Sequence, residues 1–297
     1  MSATSDVIPA ATRRPSTGKK STRGEIGSRT VKYALLLLFI VVVFIPLYVL
    51  IVTSFKPPSE ITPANAWSLP SDWSLDGWTK AFDTLAPSLV RSLVLAVVAA
   101  VLSSILGSLN GFVFARWRFP GDTLIFTLFL FGMFIPYQAI MIPLQAVMLD
   151  LNDIGLPKGV PTLILAHIIY GIPICTLIFR NYYATALPKE ILEAAKVDGA
   201  GMYRTYYSIA LPVSAPAFVV CLIWQFTSAW NDFLFALFLS TPQNGPATYA
   251  LNALASGQNP DFASSMAGAL IVSLPTLIVY IVLGKYFVGG LMSGSVK

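Results

Sequence analysis

Six apolar stretches, at residues 33–52, 92–115, 124–149, 160–179, 213–239 and 265–284, dictate what this chain can fold into. A hydrocarbon core about 30 Å thick is crossed by about 20 residues of helix, and each of the six is that long. Within a bilayer every backbone N–H and C=O must be satisfied inside the protein, so only helices or closed barrels cross. Barrel strands alternate apolar and polar positions over about ten residues, whereas these runs are continuously apolar. The expected class is therefore an all-α membrane protein with six transmembrane helices. Charged residues make up 11% of the chain, against roughly 25% in a soluble domain, and Asp232 is the one charged residue inside the six stretches. The first run begins only at Tyr33 and lacks a small-residue cleavage site after it, so it reads as a span and not as a cleaved leader.

With six spans the two termini share a side. Of the 19 lysines and arginines, 15 fall on that side, and Lys56, Lys80, Arg91 and Lys158 are the 4 on the other. The positive-inside rule then expects both termini in the cytoplasm. The net charge of +5 is accordingly ascribed to orientation and anionic-lipid contact, not to nucleic acid. Residues 1–30, basic and rich in Ser, Thr, Pro and Gly, read as a disordered cytoplasmic tail ahead of a membrane domain at 31–290 and a short cytoplasmic tail at 291–297. Ser16 to Ser21 has the look of a phosphate loop but lacks the first glycine and a preceding strand, so it is not read as a nucleotide site. Cys175 and Cys221 lie within spans, which supports neither a disulfide framework nor a metal site. On the opposite side, 53–91 carries Trp67, Trp73 and Trp78, a composition suited to an interfacial or lidding segment.

The connection at 180–212 has too much pattern for a linker. Pro188 suits a first helical turn, Lys189 to Asp198 are good helix formers and Gly199 supplies a stop. A second short helix is expected from Met202 to Ile209. Within this loop stands Glu193-Ala194-Ala195-Lys196-Val197-Asp198-Gly199, followed after nine intervening residues by Ile209-Ala210-Leu211-Pro212. Paired alanines permit close approach to a partner surface, Glu193 can pair with a basic group, and a short helix tied to two spans can carry a rigid-body motion.

That spacing resembles the EAA loop of binding-protein-dependent ABC importer permeases, and residues 30–297 are similar to the maltose-transporter type of carbohydrate permease. The resemblance implies the type I ABC importer permease fold, with a cytoplasmic coupling helix docked in a cleft on an ABC ATPase. Glu193, Ala194, Ala195, Asp198 and Gly199 would then couple the chain to the ATPase. ATP and Mg would be bound by that ATPase dimer, with no cofactor on this chain. The further implied partners are a second, paired permease subunit, an extracytoplasmic substrate-binding protein, membrane lipid and a sugar, in a bacterial plasma membrane. The resemblance also implies that the tail residues Ser293, Gly294 and Ser295 reach the ATPase interface. By the same resemblance, the segment Asn244 to Asn259 probes the binding protein.

A charge in the membrane is costly against lipid, so Asp232 must face the bundle, a cavity or a partner. With Gln225, Trp230 and Asn231 it suits a polyol: indole faces stack on sugar rings, and amides and carboxylates bond hydroxyls. Trp230-Asn231-Asp232 also resembles the carbohydrate permeases. The alternative is that Asn231 and Asp232 hydrogen-bond between helices. Tyr137 and Gln138, beside Pro136 in the third stretch, are either path residues or parts of a kink. His167 reads as a packing residue. No nucleophile–base pair, metal cluster or phosphate loop supports an enzyme, so the chain is expected to be a transporter subunit powered by a partner. Import of another small polar solute, or ion-coupled secondary transport through Asp232, are the competing readings.

Overall fold

The computed structural model describes residues 23–256 and 260–292, with side chains over 28–256 and 260–284. Among these residues the regular structure is helical. The α-helices are α1 (Arg23–Ser54), α2 (Asp76–Arg116), α3 (Asp122–Phe134), α4 (Met141–Asp153), α5 (Val160–Ala186), α6 (Lys189–Val197), α7 (Met202–Thr205), α8 (Leu211–Val213), α9 (Ala215–Asn231), α10 (Leu234–Leu239), α11 (Ala247–Ala255) and α12 (Phe262–Met292). Among the described residues four helices are long and apolar enough to cross a membrane, and two bent pairs bring the number to six if each pair is one span. The chain divides into two units, Met1–Tyr48 and Val49–Lys297.

In the first unit, α1 is apolar all round and exposed all round from Tyr33 to Phe44, as suits a helix solvated by lipid or by another subunit. The second unit is organised on α2. At 41 residues this helix is about 60 Å long, twice the hydrocarbon thickness, so it extends well beyond the apolar run at 92–115. Its buried positions include Ala81, Ser88, Ser92, Ala96, Ala99, Ser103, Gly107 and Gly111, a stripe of small residues at helical spacing. Helices in lipid gain little from burying apolar surface against one another, so close backbone approach is what joins them. A Cβ on Gly107 would lie 2.3 Å from Cys175 Cβ, and one on Gly111 would lie 2.6 Å from Phe179 Cβ, so α2 meets α5 almost backbone to backbone.

The third stretch is broken, with Asp122–Phe134 and Tyr137–Asp153 at 91° to each other. The break falls at Ile135, whose backbone is extended because Pro136 follows. Pro143 lies in the first turn of α4, where its missing N–H costs nothing. The fifth stretch is not one helix either: α9 ends at Asn231, Asp232 is extended, and α10 restarts at Leu234. On the face away from the α5–α9 connection, Phe55 packs against Trp73 and Trp78 at 5.6 and 5.4 Å between ring centres. The segment between α10 and α12 is tied to α2: Arg91 Nε donates to Gly245 O at 2.8 Å and the Ala247 amide to Ser92 Oγ at 2.7 Å. Asp261 and Lys80 add an ion pair at 2.6 Å. Burial alone would raise the Asp261 carboxyl, but Lys80 and the Ser264 amide hold it below its usual range.

Candidate functional site

The connection between α5 and α9 is built from short helices. Leu187 is extended ahead of Pro188, which sets the start of α6, and the chain then closes on Gly199 at φ +73. The Gly199 amide donates to Lys196 O at 3.0 Å and the Ala200 amide to Ala195 O at 2.8 Å. That pair of bonds is the Schellman arrangement, which places a left-handed residue after the helix. The motif's glycine is thus the stop that its sequence position suggests.

The two alanines of the motif face opposite ways. Ala195 is buried, and Leu192 packs on the cluster of Phe112, Phe179, Tyr183 and Tyr206. Ala194 is exposed, as are Glu193 and Asp198, and the same outer side carries Ile191 and Val197, the latter 88% exposed. After α7 the backbone widens into a π turn, Tyr206–Ala210, and then bends by 78° into α9. Tyr206 Oη donates to Ser108 Oγ at 3.0 Å, and Ser108 Oγ pairs with Tyr183 Oη at 2.7 Å. The loop is therefore joined to α2 and α5 by both packing and a buried polar chain.

Arg116, the last residue of α2, fixes the loop's entry. Its guanidinium donates to the carbonyls of Tyr183, at 2.7 and 3.1 Å, of Ala184 at 3.0 Å, and of Leu187. These carbonyls lie at or just past the end of α5, where intrahelical donors run out, and Tyr183 O also accepts from the Leu187 amide at 3.3 Å. Arg116→Met should expose them and lower stability by on the order of 2 kcal/mol, since bonds to charged groups are the stronger kind. Faster limited proteolysis between 187 and 212 in detergent-purified protein is the expected readout.

A second site lies in the helical bundle. A cavity of about 270 Å³ flanks the loop, and one of about 250 Å³ is lined by Tyr137, His167, Tyr170, Gly171, Ile174, Trp224, Gln225, Ser228, Asn231, Asp232 and Phe235. The structure thus brings together Tyr137, Gln225, Asn231 and Asp232 of the expected path residues. Two others fall elsewhere. Trp230 is 2% exposed, stacks on Phe226, and gives its indole N–H to Val272 O at 2.9 Å, so it packs α9 against α12. Gln138 is exposed and outside the cavity lining. Ser293, Gly294 and Ser295 lie outside the described residues, as do 257–259 of the segment from Asn244 to Asn259.

Residues that sequence reasoning missed complete the lining. His167, read as packing, stands 3.6 Å from Asp232 Oδ2. Trp224, not Trp230, offers an indole face there. The signal was helical spacing: Gln225, Ser228 and Asn231 lie on one side of α9 with Asp232 just past its end, and Trp230 sits about 140° around from Gln225. On α5, His167, Tyr170, Gly171 and Ile174 have the i, i+3, i+4, i+7 pattern of a single face. Asp232 also has a structural duty, accepting from the Ala236 amide at 3.4 Å, while its carbonyl accepts from Thr248 Oγ1 at 2.7 Å.

Residues 103–291 match the family described as binding-protein-dependent transport system inner membrane component. Among similar chains, the xylose/arabinose import permease protein XacI of Haloferax volcanii is 34% identical over 89% of this chain and 92% of its own length. The diacetylchitobiose uptake system permease protein NgcG of Streptomyces coelicolor is 30% identical over 90% of this chain and 88% of its own. A probable ABC transporter permease protein of Pyrococcus horikoshii is 44% identical, over 58% of this chain and 62% of its own length. The fold is similar to that of a chain from a bacterial ABC transporter involved in import of the acidic polysaccharide alginate, with a TM-score of 0.74 at 21% identity over 90% of this chain and 98% of that one.

Proposed function

This chain belongs to the family of binding-protein-dependent transport system inner membrane components, and from that premise we propose that it is one of two paired permease subunits of an ATP-driven sugar importer. ATP and Mg are handled by a separate ABC ATPase dimer, and sugar is delivered by an extracytoplasmic binding protein. Both termini and the α5–α9 connection face the cytoplasm, an orientation supported by the split of 15 to 4 in lysines and arginines. The observation that carries the reading is α6: a short, capped helix, anchored inward by Leu192 and Ala195, with Glu193, Ala194 and Val197 left outward. Such a helix suits docking on an ATPase and passing its closure to α5 and α9 as a rigid-body movement.

A sugar as cargo is supported by the names of relatives that import xylose and arabinose or diacetylchitobiose, and by the cavity's chemistry. An indole, two phenols, an amide pair and a carboxylate are the groups that hold a polyol. Reconstituted with its partners, the complex should take up sugar on ATP addition and continue to do so with a protonophore present. Uptake that the protonophore abolishes would instead make Asp232 the site of ion-coupled transport. Asp232→Ala should lower uptake at least about tenfold, the scale of one lost hydrogen bond to a charged group, with the complex still assembled. Failure of assembly in this variant would assign Asp232 to helix packing alone.

A further inference from the structure

Among the described residues, one buried side-chain atom of the cavity lining lacks a hydrogen-bond partner. His167 is 3% exposed, and its Nε2 has no hydrogen-bond partner among the described residues. The nearest acceptor, Asp232 Oδ2, is 3.6 Å away, beyond hydrogen-bonding reach. Buried polar atoms are nearly always paired, so an orphan facing a cavity marks a place where something else supplies the partner. Its neighbours are committed: Phe235 meets the imidazole at 5.1 Å near edge-on, and Gln225 Nε2 donates to the His167 carbonyl at 2.8 Å.

The carboxylate 3.6 Å away favours the tautomer with its proton on Nε2, and a group bridging that Nε2–H and Oδ2 then accepts from the imidazole and donates to the carboxylate. A hydroxyl does both, while a carboxylate can only accept. The charge of the lining acts in the same direction, because Asp232 is its one acid and it contains no lysine or arginine. A second carboxylate entering would face Asp232 in a medium of low dielectric with no cation in the lining to offset the repulsion. We infer that His167 and Asp232 form a hydroxyl-binding pair that makes this cavity a filter, admitting neutral polyhydroxylated solutes and rejecting saccharides that carry a uronic acid. This rests on the sugar-import reading and specifies the class of sugar that passes. Trp224, half exposed beside the pair, supplies the apolar face for the ring, and Asn231 and Ser228 supply further hydroxyl partners.

The test uses the complex of this chain with its paired permease subunit and ATPase dimer in nanodiscs, without the binding protein, so that selection by that protein does not enter. Labelled disaccharides of glucose and of galactose, each beside its uronic-acid form, are titrated by equilibrium dialysis. The neutral forms should bind at least about tenfold more tightly than the acidic ones, and Asp232→Asn should bring the two within about threefold. Asparagine keeps an oxygen for the Ala236 amide, so this variant leaves the α10 cap in place. His167→Phe should weaken neutral-sugar binding about tenfold or more, and His167→Gln, which restores a donor, should recover most of it. A ratio that Asp232→Asn does not move, equal loss in both His167 variants, or no binding of the neutral forms would each overturn the filter. Uptake by the complete importer is measured alongside: uptake with an unselective cavity removes the filter alone, whereas no sugar uptake removes the import reading beneath it.

Discussion

Gly107→Leu should leave no folded permease to purify. A Cβ at this position would stand 2.3 Å from Cys175 Cβ and 2.8 Å from the Cys175 carbonyl carbon. The clash is with the first side-chain atom, so no rotamer relieves it, and the atoms opposite belong to or adjoin the α5 backbone. Relief requires moving two long helices apart. That would open the contacts on either side, where Ser103 and Ser104 lie buried on α2 and Cys175, Thr176 and Phe179 on α5. Overpacking in a core costs about 1–3 kcal/mol when neighbours can shift, and more when backbone must, against a total stability of about 5–15 kcal/mol. Gly111→Leu repeats the experiment one turn on, with Phe179 Cβ and the Arg180 amide at 2.6 and 2.7 Å. Gly132→Ala is the control: nothing lies within 4 Å of a Cβ there, and helix propensity favours alanine by about 1 kcal/mol. Size-exclusion profiles of the solubilised variants read the outcome directly. A monodisperse Gly107→Leu peak with wild-type melting would mean that the α2–α5 crossing does not depend on backbone contact.

The same crossing shows what the sequence let through and what it hid. Continuous apolar runs made the all-helical membrane class legible, and Pro136 marked the break between α3 and α4, because a proline acts on its own neighbours. The loop helix was legible for a similar reason, since Pro188 and Gly199 are local start and stop signals. Hidden was the extension of α2 over 76–91. Lys80, Asp83, Pro87 and Arg91 give that stretch the composition of a loop, while its helical state is fixed by partners far along the chain, Asp261 to Lys80 and Gly245 to Arg91. The break at Asp232 was hidden too, as its carbonyl is taken by Thr248 and not by the helix. The pairing of His167 with Asp232 joins residues 65 apart, and only the packing of α5 on α9 brings them together.

Ala194→Trp should abolish ATP-driven uptake in a protein that still folds. Ala194 and Ala195 are adjacent in sequence and differ in surroundings: Ala195 is buried, at 7% exposed, and Ala194 is open. An indole at 194 therefore meets nothing within this chain, and its effect falls on whatever α6 docks against. If the ATPase receives this helix in a cleft sized for a methyl group, the loss is that of an interface hot spot, about 2–4 kcal/mol, or roughly 30- to 1,000-fold in docking. Ala195→Trp should fail differently, by displacing the groups that bury this methyl and destabilising the permease before any partner is present. Glu193→Lys belongs with Ala194→Trp, because the side chain is exposed and its reversal costs the fold little. Gly199 separates backbone from surface. At φ +73 with open space around it, asparagine should be tolerated, valine should cost about 1–2 kcal/mol in local strain, and tryptophan should combine strain with bulk at the docking face. The ordered series is what distinguishes a docking helix from an ordinary amphipathic loop. ATPase co-purification and ATP-dependent uptake should fall together for Ala194→Trp and Glu193→Lys while melting stays near wild type, Gly199→Trp should lose both and melt a few degrees lower, and Gly199→Asn should keep all three. Unchanged co-purification with unchanged uptake across the exposed variants would sink the assignment of α6 as the coupling helix.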